Sequence, residues 1–324
     1  MNKILIIGGG QIGSRHLQAL KKVTLPLTIT VVDPNLESLK LAQERYDNMP
    51  SGRTQHVLNL KTKIPKKSEP IDLAIIATCS DVRAKMIAEL LKFSKVKYLI
   101  LEKILFNKKA DYRVIEELLR KHKTKAWVNI PLRVMPAYIK AREYFKNQRI
   151  SYTITGGQYG LVTNAIHYLD HVAFITGSKD YKIDTSGLDT RPIAAKRKGF
   201  LELNGTLTAK FKNGSNVSLT CHPQGNAPVI TEIFSDRARY IGRESEGKAW
   251  LALADNNWRW EEIEAEIPPQ SKLTDIIAED ILRKGTCNLV TYKESAQTHL
   301  KMLEPLLSFL NKNSEKRFNY YPFT

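Results

Sequence analysis

Short apolar stretches alternate with amphipathic stretches along the first third of the chain. Residues 2–8, 27–33 and 71–78 are rich in Ile, Leu and Val, the composition of buried strands. Residues 11–22 and 81–93 instead repeat apolar positions every three to four residues, as amphipathic helices do. Strands that alternate with helices indicate βαβ units and a parallel sheet, so we predict a doubly wound Rossmann domain. The same patterns predict strands at 98–101 and 126–129 and helices at 36–46 and 111–122.

The pattern changes near residue 125, after which predicted strands outnumber predicted helices. The pairs Asn204-Gly205 and Asn213-Gly214 are each flanked by apolar–polar alternation, the strongest local signal for a hairpin. We therefore predict a three-stranded meander over residues 199–220. Further strands are expected near residues 229–235, 239–243, 249–254 and 257–264, with helices near 136–146, 164–175, 273–284 and 292–311.

These patterns together predict an α/β protein with two domains. Residues 1–124 are expected to form the Rossmann domain. Residues 125–324 are expected to form an α+β domain with a large, mostly antiparallel open sheet. The closing helix, at about residues 291–311, could pack back on the first domain.

A glycine-rich motif lies between the first predicted strand and the first predicted helix. Gly8-Gly9-Gly10-Gln11-Ile12-Gly13 fits G-x-G-x-x-G, in which the glycines allow a tight turn, close approach of a pyrophosphate and close helix packing. Asp33 ends the second strand 20 residues after Gly13, where a ribose-binding carboxylate is expected. We predict a dinucleotide site that prefers NAD to NADP, because Asp33 would repel a 2′-phosphate. The alternative is a glycine-rich turn and an aspartate that only caps a helix.

The chain carries 50 Lys and Arg against 33 Asp and Glu, a formal net charge of +17. This excess raises the positive potential around any anion site. A nucleic-acid partner is an alternative interpretation, but the basic clusters lie far apart and are not interleaved with aromatic residues. We therefore expect no nucleic-acid partner and a weak preference for an anionic substrate.

The cysteines and the apolar runs exclude several other classes. The three cysteines, at positions 79, 221 and 287, are widely spaced and form no C-x-x-C pair, so neither a disulfide framework nor a cysteine-rich zinc site is expected. The longest apolar runs fall far short of the roughly 20 residues that cross a membrane. The first residues lack the features of a signal peptide, and we expect a cytoplasmic protein with no membrane partner.

Four short motifs follow one another along the chain in an order that is informative. They are residues 8–16, where the glycine motif precedes a His; 76–80, Ile-Ala-Thr-Cys-Ser; 101–105, Leu-Glu-Lys-Ile-Leu; and 160–177, with His-Tyr-Leu-Asp inside. In this order the chain resembles the Gfo/Idh/MocA oxidoreductase family, named for glucose–fructose oxidoreductase and inositol dehydrogenase. The resemblance implies hydride transfer between a nicotinamide and a carbinol or carbonyl carbon of a sugar or sugar derivative. It also implies a homodimer or homotetramer assembled through the second-domain sheet.

Lys103 and His167 are the catalytic candidates that the resemblance implies. Lys103 follows an apolar strand at the carboxyl edge of the sheet, where a lysine can stabilise negative charge developing on a substrate oxygen. His167 can exchange the proton of that oxygen, since an unperturbed imidazole titrates near neutrality. The alternatives are a surface lysine at a strand end and a helix histidine that only packs locally.

Other residues are predicted to line the two binding sites. Arg133 can bind a carboxylate or phosphate through its guanidinium fork, although an interdomain ion pair is an equally good interpretation. His171 lies four residues after His167, but a metal would need a third ligand, so no metal is predicted. The residues expected at the cofactor are Gly8, Gly10, Gln11, Ile12, Gly13, Asp33, Thr78, Cys79 and Glu102, and those expected at the substrate are Arg133, Asn164 and His171.

The chain departs from the family pattern at the proposed catalytic helix. Thr163 stands where the family has its catalytic Asp, and Ile104 stands where it has Pro after the lysine. The missing carboxylate keeps two alternatives open. One is a nucleotide-binding sensor or partner subunit without turnover. The other is an imine or biliverdin-type reductase, because related enzymes reduce such bonds without the full set of catalytic residues.

Overall fold

The computed structural model describes residues 1–50, 52–66 and 69–324 and divides into two compact units. The first unit comprises residues 1–129 and 268–294, and the second comprises residues 130–267 and 295–324. The chain therefore leaves the first unit at 129/130, where the sequence predicted 124/125, and returns to it for 27 residues near its end (294 − 268 + 1). The closing helix belongs to the second unit from Ser295 onward.

The described elements follow one another along the chain as strands β1 to β17 and helices α1 to α8. The strands are β1 (Asn2–Ile7), β2 (Leu27–Val32), β3 (Val57–Lys61), β4 (Ile71–Ile76), β5 (Val96–Leu101), β6 (Lys125–Val128), β7 (Ser151–Gly157), β8 (Tyr181–Asp184), β9 (Ile193–Ala194), β10 (Leu201–Glu202), β11 (Gly205–Phe211), β12 (Asn216–His222), β13 (Ile230–Phe234), β14 (Ala238–Arg243), β15 (Lys248–Leu253), β16 (Trp260–Glu264) and β17 (Val290–Thr291). The helices are α1 (Gln11–Leu20), α2 (Leu36–Asp47), α3 (Ser80–Phe93), α4 (Lys109–Lys121), α5 (Pro136–Phe145), α6 (Leu161–Thr176), α7 (Thr274–Lys284) and α8 (Tyr292–Asn313).

The first unit is the predicted Rossmann domain. Within the described residues its sheet has the strand order β17-β6-β5-β4-β1-β2-β3, and β1 to β6 run parallel. The central strands β1, β4 and β5 are buried because each is a nearly continuous apolar run, as expected for a parallel sheet covered on both faces. The predicted fold class is confirmed, and the carboxyl ends of β1, β4 and β5 meet at one edge of the sheet.

The sequence did not predict the two edge strands of this sheet. β3 is exposed or half-buried along its whole length, and β17 has only two residues and runs antiparallel to β6. Neither strand needs a long apolar run, because an edge strand has a neighbouring strand on one side only and is less covered than a central strand. Their sequences therefore carry little of the pattern that revealed the central strands.

The second unit contains the predicted large, mostly antiparallel sheet. Among the described residues its strand order is β16-β15-β14-β13-β7-β12-β11-β8, and only the pair β7–β12 runs parallel. Buried and half-buried residues alternate along β7, β12 and β13, so one face of the sheet is covered and the other is accessible within this unit. Helix α6 is nearly all buried and supplies much of the apolar core of the unit.

The predicted meander over residues 199–220 is wrong in one strand. β11 and β12 form the expected hairpin across Asn213-Gly214, but β10 pairs with β9 in a separate small sheet. Gly205 has a φ of +91°, and its backbone forms a bridge with Leu188, so it redirects the chain instead of closing a two-residue hairpin. The side chain of Asn204 is buried, which an exposed hairpin turn would not require. None of the described helices has the length and hydropathy needed to cross a membrane.

Candidate functional site

The glycine-rich turn between β1 and α1 adopts a geometry that suits an anion. Gly8 has a φ of +98°, and its N–H donates to the carbonyl oxygen of Val32 at 2.8 Å. A Cβ on Gly13 would lie 1.7 Å from the carbonyl oxygen of Gly8, so only glycine permits this close helix packing. A Cβ on Gly10, by contrast, would meet nothing within 4 Å. The start of α1 is therefore open to a ligand, and its unsatisfied N–H groups favour a phosphate.

The carboxylate of Asp33 fixes this turn to the end of β2. Its Oδ2 accepts the N–H of Gly9 at 2.8 Å, and its Oδ1 accepts the N–H of Asn35 at 2.9 Å. Asn35 in turn caps α2, as its side-chain oxygen accepts the N–H of Glu37 at 2.9 Å. Each carboxylate oxygen has two lone pairs, so Asp33 can still accept hydrogen bonds from ribose hydroxyls.

Arg45 is a contributor to this turn that the sequence did not reveal. Its guanidinium donates to the side-chain oxygen of Gln11 at 2.6 Å and to the hydroxyl of Ser14 at 2.7 Å. A positive charge thus lies beside the first turn of α1, which itself has no acidic residue. From sequence, Arg45 is indistinguishable from a basic residue that complements the C-terminal dipole of α2.

The end of β4 supplies a buried hydroxyl that is consistent with a bound ligand. Thr78 Oγ1 is buried and has no hydrogen-bond partner among the described residues. A Cβ on Gly8 would lie 3.2 Å from the Thr78 nitrogen, so this residue adjoins the glycine turn. Cys79 follows as the first flanking residue of α3. An open helix start, a strand-end carboxylate and an orphaned hydroxyl at one sheet edge fit a dinucleotide, which these residues would hold.

Lys103 lies on the adjacent loop, after β5. It is half-buried within an otherwise buried stretch, Leu101 to Phe106, and its peptide bond to Ile104 is cis. Arg83, which is 1% exposed, donates to the carbonyl oxygen of Leu105 at 2.9 Å and also to those of Ile104 and Thr78. One buried guanidinium thus holds the loops after β4 and β5 together. Arg83 was not among the residues that the sequence predicted at either binding site.

Glu102, directly before Lys103, belongs to a closed ring of hydrogen-bonded side chains. Its Oε1 pairs with Nε2 of His16 at 2.9 Å and accepts from the amide of Asn129 at 2.6 Å. The amide of Asn129 also donates to Gln270 at 2.8 Å, and the amide of Gln270 donates to the hydroxyl of Thr274 at 2.8 Å. The hydroxyl oxygen of Thr274 lies 2.8 Å from Nδ1 of His16, and this hydrogen bond closes the ring. The ring thus joins α1, the ends of β5 and β6, and the start of α7.

The ring keeps Glu102 ionised in a buried position. Burial alone would raise the pKa of this carboxyl, but the hydrogen bond and charge of His16, the Asn129 amide and the charge of Arg83 together bring the pKa below its usual value. The side chain is turned into the domain, which differs from the direct cofactor contact that the sequence suggested. Its observed contacts position the strand end that precedes Lys103.

In the second unit, a buried carboxylate occupies the start of α6. Glu202 accepts the N–H of Val162 at 2.8 Å through Oε1 and the N–H of Thr163 at 3.2 Å through Oε2. Burial raises the pKa of Glu202 despite hydrogen bonds from Thr163, Val162 and Leu203. The amide of Asn164 donates to the carbonyl oxygens of Tyr159 at 2.6 Å and Gly160 at 3.1 Å, which closes the turn before the helix. Glu202 was not predicted, because nothing in its local pattern indicates a helix 40 residues away.

Helix α6 carries both candidate histidines, but in different environments. His167 is half-buried, whereas His171 is fully buried. Nδ1 of His171 lies 3.0 Å from the hydroxyl of Tyr152, and its ring meets the edge of Tyr138 at 4.6 Å between centroids. The structure therefore corrects the predicted substrate contact of His171, since the core of its own domain surrounds the ring. No group of three or more metal-ligating side chains occurs among the described residues.

Arg133 is engaged by a buried carboxylate of its own unit. Its Nε donates to Asp170 Oδ2 at 2.6 Å and its Nη2 donates to Asp170 Oδ1 at 2.8 Å. Asp170 is fully buried, so this bidentate pair compensates a charge that would otherwise be strongly destabilising. The pair lies within the second unit, not between domains as the alternative interpretation supposed. The guanidinium fork that was expected to hold a substrate anion is thus occupied by Asp170.

Comparison with known proteins places this geometry in a family context. Residues 2–130 match the family described as "Oxidoreductase family, NAD-binding Rossmann fold". No curated protein sequence matches the chain. The family match confirms the resemblance to the Gfo/Idh/MocA family, and it contains the first three of the four motif stretches.

Several solved structures are similar over almost the full chain. A putative NADPH-dependent oxidoreductase from Desulfitobacterium hafniense is 14% identical with a TM-score of 0.73, covering 96% of each chain. UDP-N-acetylglucosamine 3-dehydrogenase from Acidithiobacillus ferrooxidans is 14% identical with a TM-score of 0.66, covering 93% of this chain and 95% of that chain. A super-repressor mutant of Gal80p from Saccharomyces cerevisiae is 14% identical with a TM-score of 0.69, covering 97% of this chain and 96% of that chain. At these identities the similarity shows a shared fold.

Replacing His171 with Gln is expected to reduce the acid sensitivity of the fold. Burial lowers the pKa of His171 from 6.5 to about 3, so between these values the unfolded chain binds a proton that the folded chain does not. The stability that neutral His171 contributes is complete above pH 6.5 and declines as the pH falls toward 3. Urea unfolding from about pH 7.5 to about pH 5 should show a smaller loss for His171→Gln than for the native chain.

The matched control is His122→Gln, which removes a histidine at the end of α4. The glutamine introduced in His171→Gln could still bond to Tyr152, so the comparison isolates titration from the loss of that contact. Parallel pH profiles for native chain and His171→Gln would contradict the assignment.

Proposed function

We propose that this chain, whose residues 2–130 match the Gfo/Idh/MocA oxidoreductase family, is an NAD-dependent dehydrogenase or reductase acting on a sugar or sugar derivative. The observation that carries the proposal is the glycine turn, with Gly10 open to a ligand and Asp33 fixed at the neighbouring strand end. When bound, the nicotinamide supplies or takes up the hydride. The residues of this chain bind the dinucleotide, orient the substrate and move the proton.

We assign the cofactor contacts to the residues around the sheet edge. Gly10, Gln11 and Ile12 lie at the open start of α1, where the pyrophosphate would bind, and Gly8 and Gly13 shape this turn. Asp33 would accept ribose hydroxyls, and Thr78 and Cys79 would contact the nicotinamide side. Two backbone N–H groups hold the Asp33 carboxylate in place. Its negative charge would repel a 2′-phosphate, which supports NAD over NADP. The similarity to a putative NADPH-dependent enzyme makes this preference the first property to measure.

Lys103 and His167 are the proposed catalytic residues. Lys103 follows a buried strand and is held beside the Arg83-bound loop, so its ammonium can polarise the reacting oxygen and stabilise its negative charge. His167 would exchange the proton of the same oxygen. Asn164 and Arg133 are proposed to act on substrate indirectly, because their donor groups shape the start of α6 and bind Asp170.

The substrate class rests on the family and on charge. A fold shared with a UDP-N-acetylglucosamine 3-dehydrogenase supports a sugar derivative, and the net charge of +17 supports an anionic one. A homodimer or homotetramer is proposed through the accessible face of the second-domain sheet. That face carries Thr and Ser at half-buried positions, such as Thr153, Thr155 and Ser218.

A regulator without turnover is the second candidate function. Thr163 replaces a carboxylate of the family pattern, and the fold is shared with Gal80p, which is named as a repressor. Tight binding of NADH without hydride transfer to any sugar, sugar acid or sugar nucleotide would favour this candidate. An imine or biliverdin-type reductase would instead show turnover with those unsaturated acceptors.

Asp33→Asn is expected to relax the preference for NADH. The native chain should bind NADH more tightly than NADPH, and removing one negative charge near the 2′-position should reduce the difference about tenfold. Fluorescence titration with both dinucleotides measures it. Asp72→Asn is the matched control, because Asp72 also accepts a backbone N–H, from Lys3 at 2.8 Å. Absence of binding by either dinucleotide would overturn the proposed function.

Lys103→Met and His167→Asn are expected to lose turnover while they keep the cofactor. Each should lower kcat about 100-fold or more with an active substrate, because each removes a group that acts on the reacting oxygen. NADH affinity should stay at the native value. Lys95→Met and His122→Asn are the matched controls on the first unit. Native kcat in either test variant would contradict the catalytic assignment.

A further inference from the structure

A second cleft lies in the first unit, on the opposite edge strand from β3. It has a volume of about 530 Å³ and is lined by the end of α4, by β6 and by the chain around β17. This volume is within the usual range for a small-molecule site. None of its lining residues belongs to the glycine turn or to the Lys103 loop.

The walls of this cleft are apolar because their polar groups are engaged elsewhere. Leu119, Ala126, Trp127 and Tyr292 line it. The hydroxyl of Tyr292 donates to the carbonyl oxygen of Tyr112 at 2.7 Å, away from solvent. The hydroxyl of Thr124, also in the lining, donates to the carbonyl oxygen of Val96 at 2.8 Å. A ligand would therefore meet hydrocarbon on these walls.

The rim of the cleft carries an excess of cations. Arg120, Lys123, Lys125 and Lys293 line it against one acid, Glu116. Lys125 reaches the carbonyl oxygen of Gly285 at 3.5 Å. Within the described ranges, the side-chain ends of Arg120, Lys123 and Lys293 have no hydrogen-bond or ion-pair partner. Three such cations thus surround an apolar wall. A complementary ligand would combine an apolar surface with a negative charge.

We propose that this cleft binds a small organic anion with a flat apolar body, such as an aromatic carboxylate or sulfonate. The apolar body would cover the half-buried Ala126 and the small accessible margins of Trp127 and Tyr292, which are 5% and 4% exposed, where burial of hydrocarbon is favourable. The anionic group would stay at the rim and pair with the cations, because a buried unpaired charge is costly. Inorganic phosphate has no apolar part that could contact the wall. The expected ligand is therefore an amphiphilic anion.

Lysines at a sheet edge also have a protective role, since they discourage pairing between edge strands. That role would explain Lys125 on β6, but Arg120 and Lys293 are on neither β6 nor β17. They belong to helices α4 and α8, and their convergence with Lys123 on one apolar wall is what points to a ligand.

The probe is 8-anilinonaphthalene-1-sulfonate, an aromatic sulfonate that fluoresces when it binds an apolar surface. It is titrated into the full chain with NAD⁺ in excess, so that the dinucleotide site is not available to the dye. Reversal of two cations, in Arg120→Glu/Lys293→Glu, should weaken binding about tenfold or more. The matched control is Lys85→Glu/Lys92→Glu, with the same change of charge on exposed sites of α3, and it should bind as the native chain does.

A neutral analogue distinguishes charge from general hydrophobic binding. N-phenyl-1-naphthylamine lacks the sulfonate and should bind about tenfold more weakly than the sulfonate does. Equal affinities for native chain and Arg120→Glu/Lys293→Glu would overturn the proposal, as would displacement of all dye by NAD⁺. The second result would leave the proposed dehydrogenase function intact, whereas failure to bind NAD⁺ would leave the comparison of charge variants valid.

Discussion

A buried carboxylate at the end of β5 constrains the geometry of the first unit. Glu102 is 5% exposed, and an ionised carboxyl in such a position is tolerated only when fixed donors surround it. His16 and Asn129 supply these donors, and Gln270 and Thr274 close the circuit. Four separate segments of the chain must therefore reach the same point. Because Lys103 directly follows Glu102, the hydrogen bonds that fix Glu102 also fix the backbone position of Lys103.

The same physical device recurs at the other candidate elements. Asp170 is compensated by the guanidinium of Arg133, and Glu202 by the N–H groups at the start of α6. Glu102 precedes Lys103 and Asp170 binds Arg133, two residues that the sequence assigned to the site, and Glu202 accepts the N–H of Thr163, which departs from the family pattern. Because losing one partner leaves a charge without compensation, each arrangement strongly resists distortion. Preorganisation of this kind is what a proposed hydride-transfer site needs, since small misplacements of reacting groups cost rate.

The sequence could predict those parts of the fold and the site that depend on neighbours along the chain. The glycine turn and the central strands follow from short patterns, and the structure confirms them. The ring around Glu102 could not be predicted, because His16 and Thr274 are 258 residues apart and their contact depends on tertiary packing. Arg133 shows the opposite case, in which a correct chemical preference for a carboxylate was satisfied by Asp170 rather than by a substrate. The edge strands β3 and β17 were missed because their residues are too exposed or too few to show a period.

Hydrogen exchange in a Glu102→Met variant tests the central claim that this carboxylate organises the first unit. Methionine has similar size but accepts no hydrogen bond, so His16 and Asn129 would lose their shared acceptor. Amide exchange should accelerate about tenfold or more both in residues 102–107 and in residues 270–276, while Glu102→Gln, which keeps an acceptor oxygen, should show a smaller effect. Acceleration confined to residues 102–107, with native protection at 270–276, would contradict the account, because the two segments would then be held independently.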